Sequence, residues 1–384
     1  MGTVVLGDLH LTRHSAPALA EALARLLDHH RSDRVIVAGD FFDLATDAPK
    51  AERREAIAAV LDAHPGVRRA LGEAVDHGGE VLLLSGNHDA DLGRDDLGPA
   101  VSDAVGLDPH LRHRIHSRPW FIREGGLHVE HGHFYDPDNA PAHPLVVGEA
   151  SLGVHFSSEF VHPTQAHRYL QANDGTPLRL FLAAFSWYGT RAPYVIYRYF
   201  HAAFAALAKS GPLYRAHREK RVGAERMARF AEDAGVPLST VEAVFAGGVP
   251  STLESWPNTF ARLYLDRVLA SLLLGSGAMM ALRGRTLAGT GIATLGGMLM
   301  TLSWLRGHNR YQGTVVEHLE QAAQGILART DAEQVIFGHT HREALGDRYA
   351  NTGTFAFPPA GGQGRPYLDL IEAPFGLRIE RRYA

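Results

Sequence analysis

The run Val81-Leu82-Leu83-Leu84-Ser85-Gly86-Asn87-His88-Asp89 (VLLLSGNHD) decides how this chain is read. Four consecutive apolar residues bounded by polar ones fit a short buried strand better than a helix, which needs a longer run. One glycine then leads straight to an amide, an imidazole and a carboxylate. All three are costly to bury without partners. Packing gives no reason for that order, so the strand end is expected to hold something that is not part of the core.

The layout recurs. Thr3-Val4-Val5-Leu6 runs into Gly7-Asp8-Leu9-His10, and Val35-Ile36-Val37-Ala38 runs into Gly39-Asp40-Phe41-Phe42-Asp43. Gln334-Val335-Ile336-Phe337 runs into Gly338-His339-Thr340-His341. A hairpin pattern, Trp120-Phe121-Ile122 and Leu127-His128-Val129 about Gly125-Gly126, leads to Glu130-His131-Gly132-His133. Asp8 and His10 are two apart, as are His339 and His341, so each pair can point to one side of an extended backbone. Leu19, Leu23, Leu26 and Leu27 stand at helical spacing, and longer helical regions fall at roughly 51–77 and 313–329. Strand-like segments at 349–355, 367–371 and 377–381 follow. Strands alternating with helices predict an α/β domain whose sheet is covered on both faces, with ligands gathered at the strand ends.

Bulk properties narrow the function. A formal net charge of −4 over 384 residues argues against a general nucleic-acid binder. There are no cysteines, which excludes disulfides and thiolate metal sites and fits a reducing compartment. The chain opens on a strand rather than a secretory signal, so a cytoplasmic location is expected. Most of the 23 histidines must be ordinary surface or core residues; only those at strand ends read as functional.

Taken together, the five polar clusters resemble the calcineurin-like metallophosphoesterases, whose pattern is D-x-H, G-D-x-x-D, G-N-H-D/E, a lone H-G, and G-H-x-H. The likeness covers 1–140 and 312–384. It implies a sandwich of two mixed β-sheets flanked by helices, with a two-metal site at one edge. Carried over, Asp8, His10, Asp40 and His341 would hold one metal. Asp40, Asn87, His131 and His339 would hold the second, with Asp40 bridging. His88 would face the scissile phosphate, and Asp89 would orient its ring. Asp43 would hold a loop or a histidine ring, and His133 reads as a turn residue rather than a substrate contact. Two cations roughly 3.5–4 Å apart can clamp an in-line displacement at phosphorus and generate a hydroxide nucleophile from bound water. Nitrogen and oxygen ligation suits Mn²⁺, expected first, or Fe²⁺ or Zn²⁺.

Within the family the chain is most similar to UDP-2,3-diacylglucosamine diphosphatases, through Asp8-Leu9-His10-Leu11, Gly39-Asp40-Phe41-Phe42-Asp43 and Gly338-His339-Thr340-His341-Arg342. It departs from them at His88, where they carry Arg, and at His131-Gly132-His133, where they read H-G-D. It also departs from the wider family at Leu44, which often has Arg there. The expected partner is therefore a phosphorylated small molecule or lipid, with nuclease, protein phosphatase and non-catalytic scaffold as the alternatives.

Residues 141–311 read as one mainly helical insertion. Aromatic residues crowd Phe181–Phe204, and Arg191–Arg229 holds nine Lys/Arg against two Glu. Two uncharged apolar runs follow, Val268–Leu282 and Thr286–Leu305, joined by Arg283-Gly284-Arg285. Gly289, Ala293 and Gly297 recur every four residues, a spacing that lets helices approach closely. Two readings stand: contact with a membrane through 181–305, at or in the inner leaflet, or a buried helical pair forming a lid core or dimer contact.

Overall fold

A computed structural model describes residues 2–171, 177–307, 314–358, 361–373 and 376–384. The expected boundary at 311/312 lies outside the described residues. The chain divides into two compact units: 1–150 with 216–250 and 315–384, and 151–215 with 251–314.

The first unit is a sandwich of two mixed sheets. One has the strand order β11-β10-β1-β2-β3-β4 and the other β5-β6-β7-β9-β8. β1 (Thr3–Leu6), β2 (Arg34–Val37), β3 (Glu80–Leu84) and β4 (Ile115–Arg118) run parallel. β10 (Pro366–Ala373) joins β1 antiparallel and carries β11 (Gly376–Tyr383) on its far side. In the second sheet, β5 (Phe121–Glu124) and β6 (Leu127–Glu130) form the expected hairpin. β7 (Gln334–Phe337) lies parallel to β6 and to β9 (Tyr349–Thr352), and β8 (Glu343–Leu345) closes the edge.

Alternation along the strands builds the layers. Val5, Ile36 and Leu82 meet Val129, Ile336 and Ala350 between the sheets. Val4, Leu6, Val35 and Val37 face the opposite way, onto Leu23, Leu27, Ile57, Val60 and Leu71 of the covering helices. The region read as one helix near 51–77 is two, Arg53–Ala63 and Pro65–Asp76. His64 before the proline has φ −125° and ψ 67°, outside the helical region, as a residue preceding proline prefers.

The outer face of the second sheet shows where the units divide the chain differently from the sequence reading. Phe121, Val335 and Phe337 are covered by Leu319 and Ile326 of helix Val315–Arg329. They are also covered by Met227 and Phe230 of Ala216–Ala234 and by Val241 and Val244 of Leu238–Phe245. Residues 141–150 and 216–250 thus belong with the sandwich, not with the helical unit. The nine cations of Arg191–Arg229 are split accordingly, with only Arg191, Arg198, Lys209 and Arg215 in the second unit.

That second unit is helical. Phe156, Phe160 and Tyr169 pack around Tyr199, with ring centroids 5.3–5.8 Å from it. Helices Leu265–Leu282 and Thr286–Leu305 form an antiparallel pair. Gly277, Gly289 and Gly296 meet the facing backbone so closely that a Cβ on any of them would fall 2.4–2.7 Å from a backbone nitrogen. Gly297, expected on the seam, only grazes Leu274 at 4.0 Å. The buried residues Gly289, Gly296 and Ser303 recur every seven residues, not every four.

Candidate metal centre

All five polar clusters follow strand ends: β1, β2 and β3 of one sheet, β6 and β7 of the other. The loops interlock through their backbones. Asp8 N–H donates to Gly39 O at 3.2 Å, and the Leu9 and His10 N–H groups donate to Asp40 O at 2.9 Å. Their conformation is costly. Asp8, His10, Asp40, His339 and His341 have φ between 44° and 69°, five of the seven described non-glycine residues with positive φ. An L-residue in that region is disfavoured by about 1–2 kcal/mol, and such strain clusters at functional sites.

The glycines serve mostly by having no side chain. A Cβ at Gly86 would sit 2.1 Å from Asp40 Oδ1, which itself accepts the His88 N–H at 2.8 Å. That explains the single glycine of the opening motif: the Asp40 carboxylate occupies the space a side chain would need. Gly39 both adopts φ 85° and leaves room for the His131 ring, 2.4 Å from where its Cβ would be.

The side chains converge as the sequence predicts for Asp8, His10, Asp40, Asn87, His131 and His341. The ligand atoms of Asp8, His10 and His341 lie within 4.8 Å of one another, as do those of Asp8, Asp40 and His131. His341 Nε2 is 3.1 Å from Asp8 Oδ1 and 3.0 Å from His10 Nε2. His131 Nε2 is 3.3 Å from Asp40 Oδ2 and 3.0 Å from Asn87 Oδ1. Second contacts fix which atoms point inward. His131 Nδ1–H donates to Ala38 O at 2.8 Å, which leaves Nε2 as the ring nitrogen turned toward Asp40 and Asn87. Asn87 Nδ2 donates to Asn139 Oδ1 at 3.2 Å, leaving the carbonyl oxygen turned toward His131.

This donor set fits divalent cations. Asp8 Oδ1 is buried without a hydrogen-bond partner, and two imidazole nitrogens face each other at 3.0 Å beside it. Carboxylate oxygens, imidazole nitrogens and one amide oxygen, with no sulfur, suit Mn²⁺, Fe²⁺ or Zn²⁺.

One role differs from the sequence reading, while Asp43 holds a histidine ring as that reading allowed. Asp89 does not touch the His88 ring; its carboxylate accepts the Gly86 N–H at 2.8 Å and the Phe42 N–H at 3.1 Å, tying the β3 loop to the β2 loop. The ring partner is Asp43, whose Oδ1 lies 2.7 Å from His88 Nδ1 while also capping Thr46 N–H at 3.0 Å. His88 Nε2 is left to face the site, with its ring centroid 4.8 Å from that of His10.

His339 also departs from expectation. Its backbone N–H donates to Asp8 Oδ2 at 2.9 Å, but its Nε2 lies 2.9 Å from Asp136 Oδ2 rather than among the converging ligand atoms. Asp136 was missed in the sequence. It accepts from Asp138 N–H and from Asn139 Nδ2, so one chain of contacts runs His339–Asp136–Asn139–Asn87. The signal was the turn-forming string Asp136-Pro137-Asp138-Asn139 just after the histidine block. His133 is buried beside His131, ring centroids 5.3 Å apart, with its Nδ1 unpartnered.

The protein's own groups set the charge. Burial raises the Asp8 and Asp40 carboxyls, but neighbouring histidines prevail and hold both below the usual range, Asp40 far below. Burial would lower His88, yet the charges of Asp43 and Asp40 push it up to about 10. His131 rises to about 9 for a similar reason, against Asp40. His10 falls to about 4, because burial outweighs its carboxylate neighbours. Asp89 is raised to about 7 by burial and by Asp40. The result sets ionised Asp8 and Asp40 carboxylates against cationic His131 and His88, with His10 neutral among them.

The family model described as calcineurin-like phosphoesterase matches residues 1–192. A comparison with curated proteins finds no match. Gly338-His339-Thr340-His341 lies beyond the matched stretch, and its place rests on the contacts of His339 and His341 with Asp8. A match over half the chain and a fold of two mixed sheets flanked by helices lead to one statement: this chain belongs to the calcineurin-like phosphoesterase family, hydrolases acting on phosphoester bonds.

Proposed function

We propose that the chain is a dinuclear-metal phosphohydrolase cleaving a phosphoester or phosphoanhydride in a lipid-linked or nucleotide-containing substrate. The observation that carries the catalytic part is the convergence of Asp8, His10, Asp40, Asn87, His131 and His341 from five strand-end loops. Asp8 belongs to both groups of ligand atoms, and Asp40 Oδ2 lies 3.3 Å from His131 Nε2 and 3.7 Å from His10 Nε2, so either carboxylate would be placed to serve both cations. Bound there, two divalent cations, Mn²⁺ foremost, would supply Lewis acidity toward the phosphoryl oxygens and a nucleophile from water. Asn87 would add its amide oxygen, and Asp136, by holding His339 Nε2, would leave His339 Nδ1 as the nitrogen available to the second cation. His88, held cationic by Asp43, would meet the phosphoryl group or donate a proton to the leaving oxygen from Nε2. The substrate class is supported by the likeness to UDP-diacylglucosamine diphosphatases and by the apolar helices of the second unit.

The test is a substrate panel with metal-stripped and Mn²⁺-reloaded protein: detergent-dispersed UDP-diacylglucosamine, soluble nucleotide diphosphates, a phosphopeptide and DNA. Turnover restored by Mn²⁺ and greatest on the lipid-linked nucleotide is expected. Preference for DNA or phosphopeptide would replace the substrate assignment, and turnover undiminished in Asp40→Ala would remove the two-metal reading.

A further inference from the structure

The helical pair Leu265–Leu282 and Thr286–Leu305 takes no part in the site described above. Only four of the 18 residues of the first helix and three of the 20 of the second are buried. The close seam uses Gly277, Gly289 and Gly296, so bulky apolar side chains are left outside it. Leu269, Leu272, Met279, Leu295, Met298 and Leu302 are all more than two-fifths exposed. In water such a surface is strongly unfavourable, and monomeric soluble proteins rarely present one.

Three further features indicate what covers it. No charged residue stands between Arg267 and Arg283 or between Arg285 and Arg306, and Arg283, Arg285 and Arg306 are exposed at the ends. At 1.5 Å per residue the 20-residue helix is about 30 Å long, the thickness of bilayer hydrocarbon. Two of the arm hydroxyls bond their own helix: Ser276 Oγ donates to Leu273 O at 3.2 Å, and Thr301 Oγ1 donates to Gly297 O at 2.9 Å. Groups so satisfied need no water. The base is closed the same way. Buried Arg267 donates to Ser303 Oγ at 3.2 Å and to Gly307 O at 3.1 Å, while Trp304 stays half exposed where an interfacial aromatic would sit. A second copy of the chain would cover one side of such a pair and leave the other wet.

We infer that this hairpin inserts into a lipid bilayer, with both arms in hydrocarbon and the arginines of its tip and base at headgroup level. The same unit exposes Arg191, Lys209 and Arg215, with no acidic residue between Arg191 and Arg215, and exposes Phe181, Leu182, Tyr197 and Phe204; Arg198 in the same stretch is paired with Glu159. Such a surface complements anionic headgroups. The inference stands independently of the hydrolytic reading, because attachment to membrane is measured without turnover.

The experiment is flotation of the full chain with phosphatidylcholine–phosphatidylglycerol vesicles at high salt, beside the double variant Leu272→Asp/Met298→Asp. Both positions are exposed, so circular dichroism and metal content should match the parent. The parent should float with the vesicles, and the variant's floated fraction should fall at least about tenfold, as expected for carboxylates placed in hydrocarbon. A parent that remains with the soluble fraction without detergent, as monomer or dimer, overturns the inference. So does a double variant that floats as well as the parent.

Discussion

Replacing Gly86 with alanine isolates the geometric claim at the centre of this site. Gly86 does not have a left-handed φ, so alanine carries no backbone penalty there; the whole cost is contact. The new Cβ would lie 2.1 Å from Asp40 Oδ1 and 2.5 Å from the Asp40 backbone nitrogen, where ordinary contact is about 3.5 Å. Relief of more than about 1 Å must come from Asp40 or from the β3 loop. Overpacking of this kind costs about 1–3 kcal/mol. Moving the carboxylate also breaks the His88 N–H bond to Asp40 Oδ1, a charge-assisted contact worth about 1.5–3 kcal/mol. The expected destabilisation is therefore about 3–6 kcal/mol, read as a lower urea midpoint at unchanged slope, together with loss of bound metal and turnover. Gly66→Ala is the control. Its Cβ would reach only Ala24, at 4.0 Å, and alanine in that helix should stabilise by up to about 1 kcal/mol. If Gly86→Ala keeps its metal, its activity and its midpoint, Asp40 does not occupy the space this argument gives it.

Three other outcomes follow from particular contacts. His88 is held protonated to about 10, so its contribution to stability is complete below about 6.5 and lost as pH rises through the folded value; Asp43→Asn should bring the alkaline limb of the rate profile toward neutrality with metal content unchanged, and an unmoved limb would clear Asp43 of that role. Asp136→Ala should weaken metal affinity by about 10–100-fold in direct metal titration, because His339 loses its carboxylate partner; parental affinity would show that the contact orients nothing. Burial, aided by Arg226, lowers His143 to about 4 where it stacks on Phe245, so the unfolded chain binds a proton more readily; stability should be intact above about 6.5 and fall as pH drops toward 4, and His143→Phe should flatten that part of a pH-stability curve.

The positions of the metal-type residues could be read from sequence because strand ends announce themselves: a short apolar run, then chemistry packing does not want. What was not legible was partner choice. Asp43 and Asp89 both stand near His88 in sequence logic, and only the path of the β2 loop decides that Asp43 reaches its ring while Asp89 ties two backbones together. Asp136 is hidden for the same reason, since its meeting with His339 spans two distant loops. Propensity would also have denied left-handed backbone to Asp8 and His10, which tertiary hydrogen bonds impose. The helices of 216–250 are amphipathic and lie among insertion residues, so contiguity assigned them to the wrong unit. What they cover is a sheet face formed from residues near 121 and 335.

The order in which the chain is made has a bearing on when it can act. β1 lies between β2 and β10, and His10 meets His341 across 331 residues of sequence. During synthesis the N-terminal strands emerge early, but the first sheet lacks its neighbour until residues 366–373 are made, and the metal cage lacks His341 until shortly before that. The apolar helices at 265–305 leave the ribosome ahead of both. A nascent chain therefore lacks a complete site while those helices find their surroundings, and competence must wait until residues 341 and 366–373 have been made.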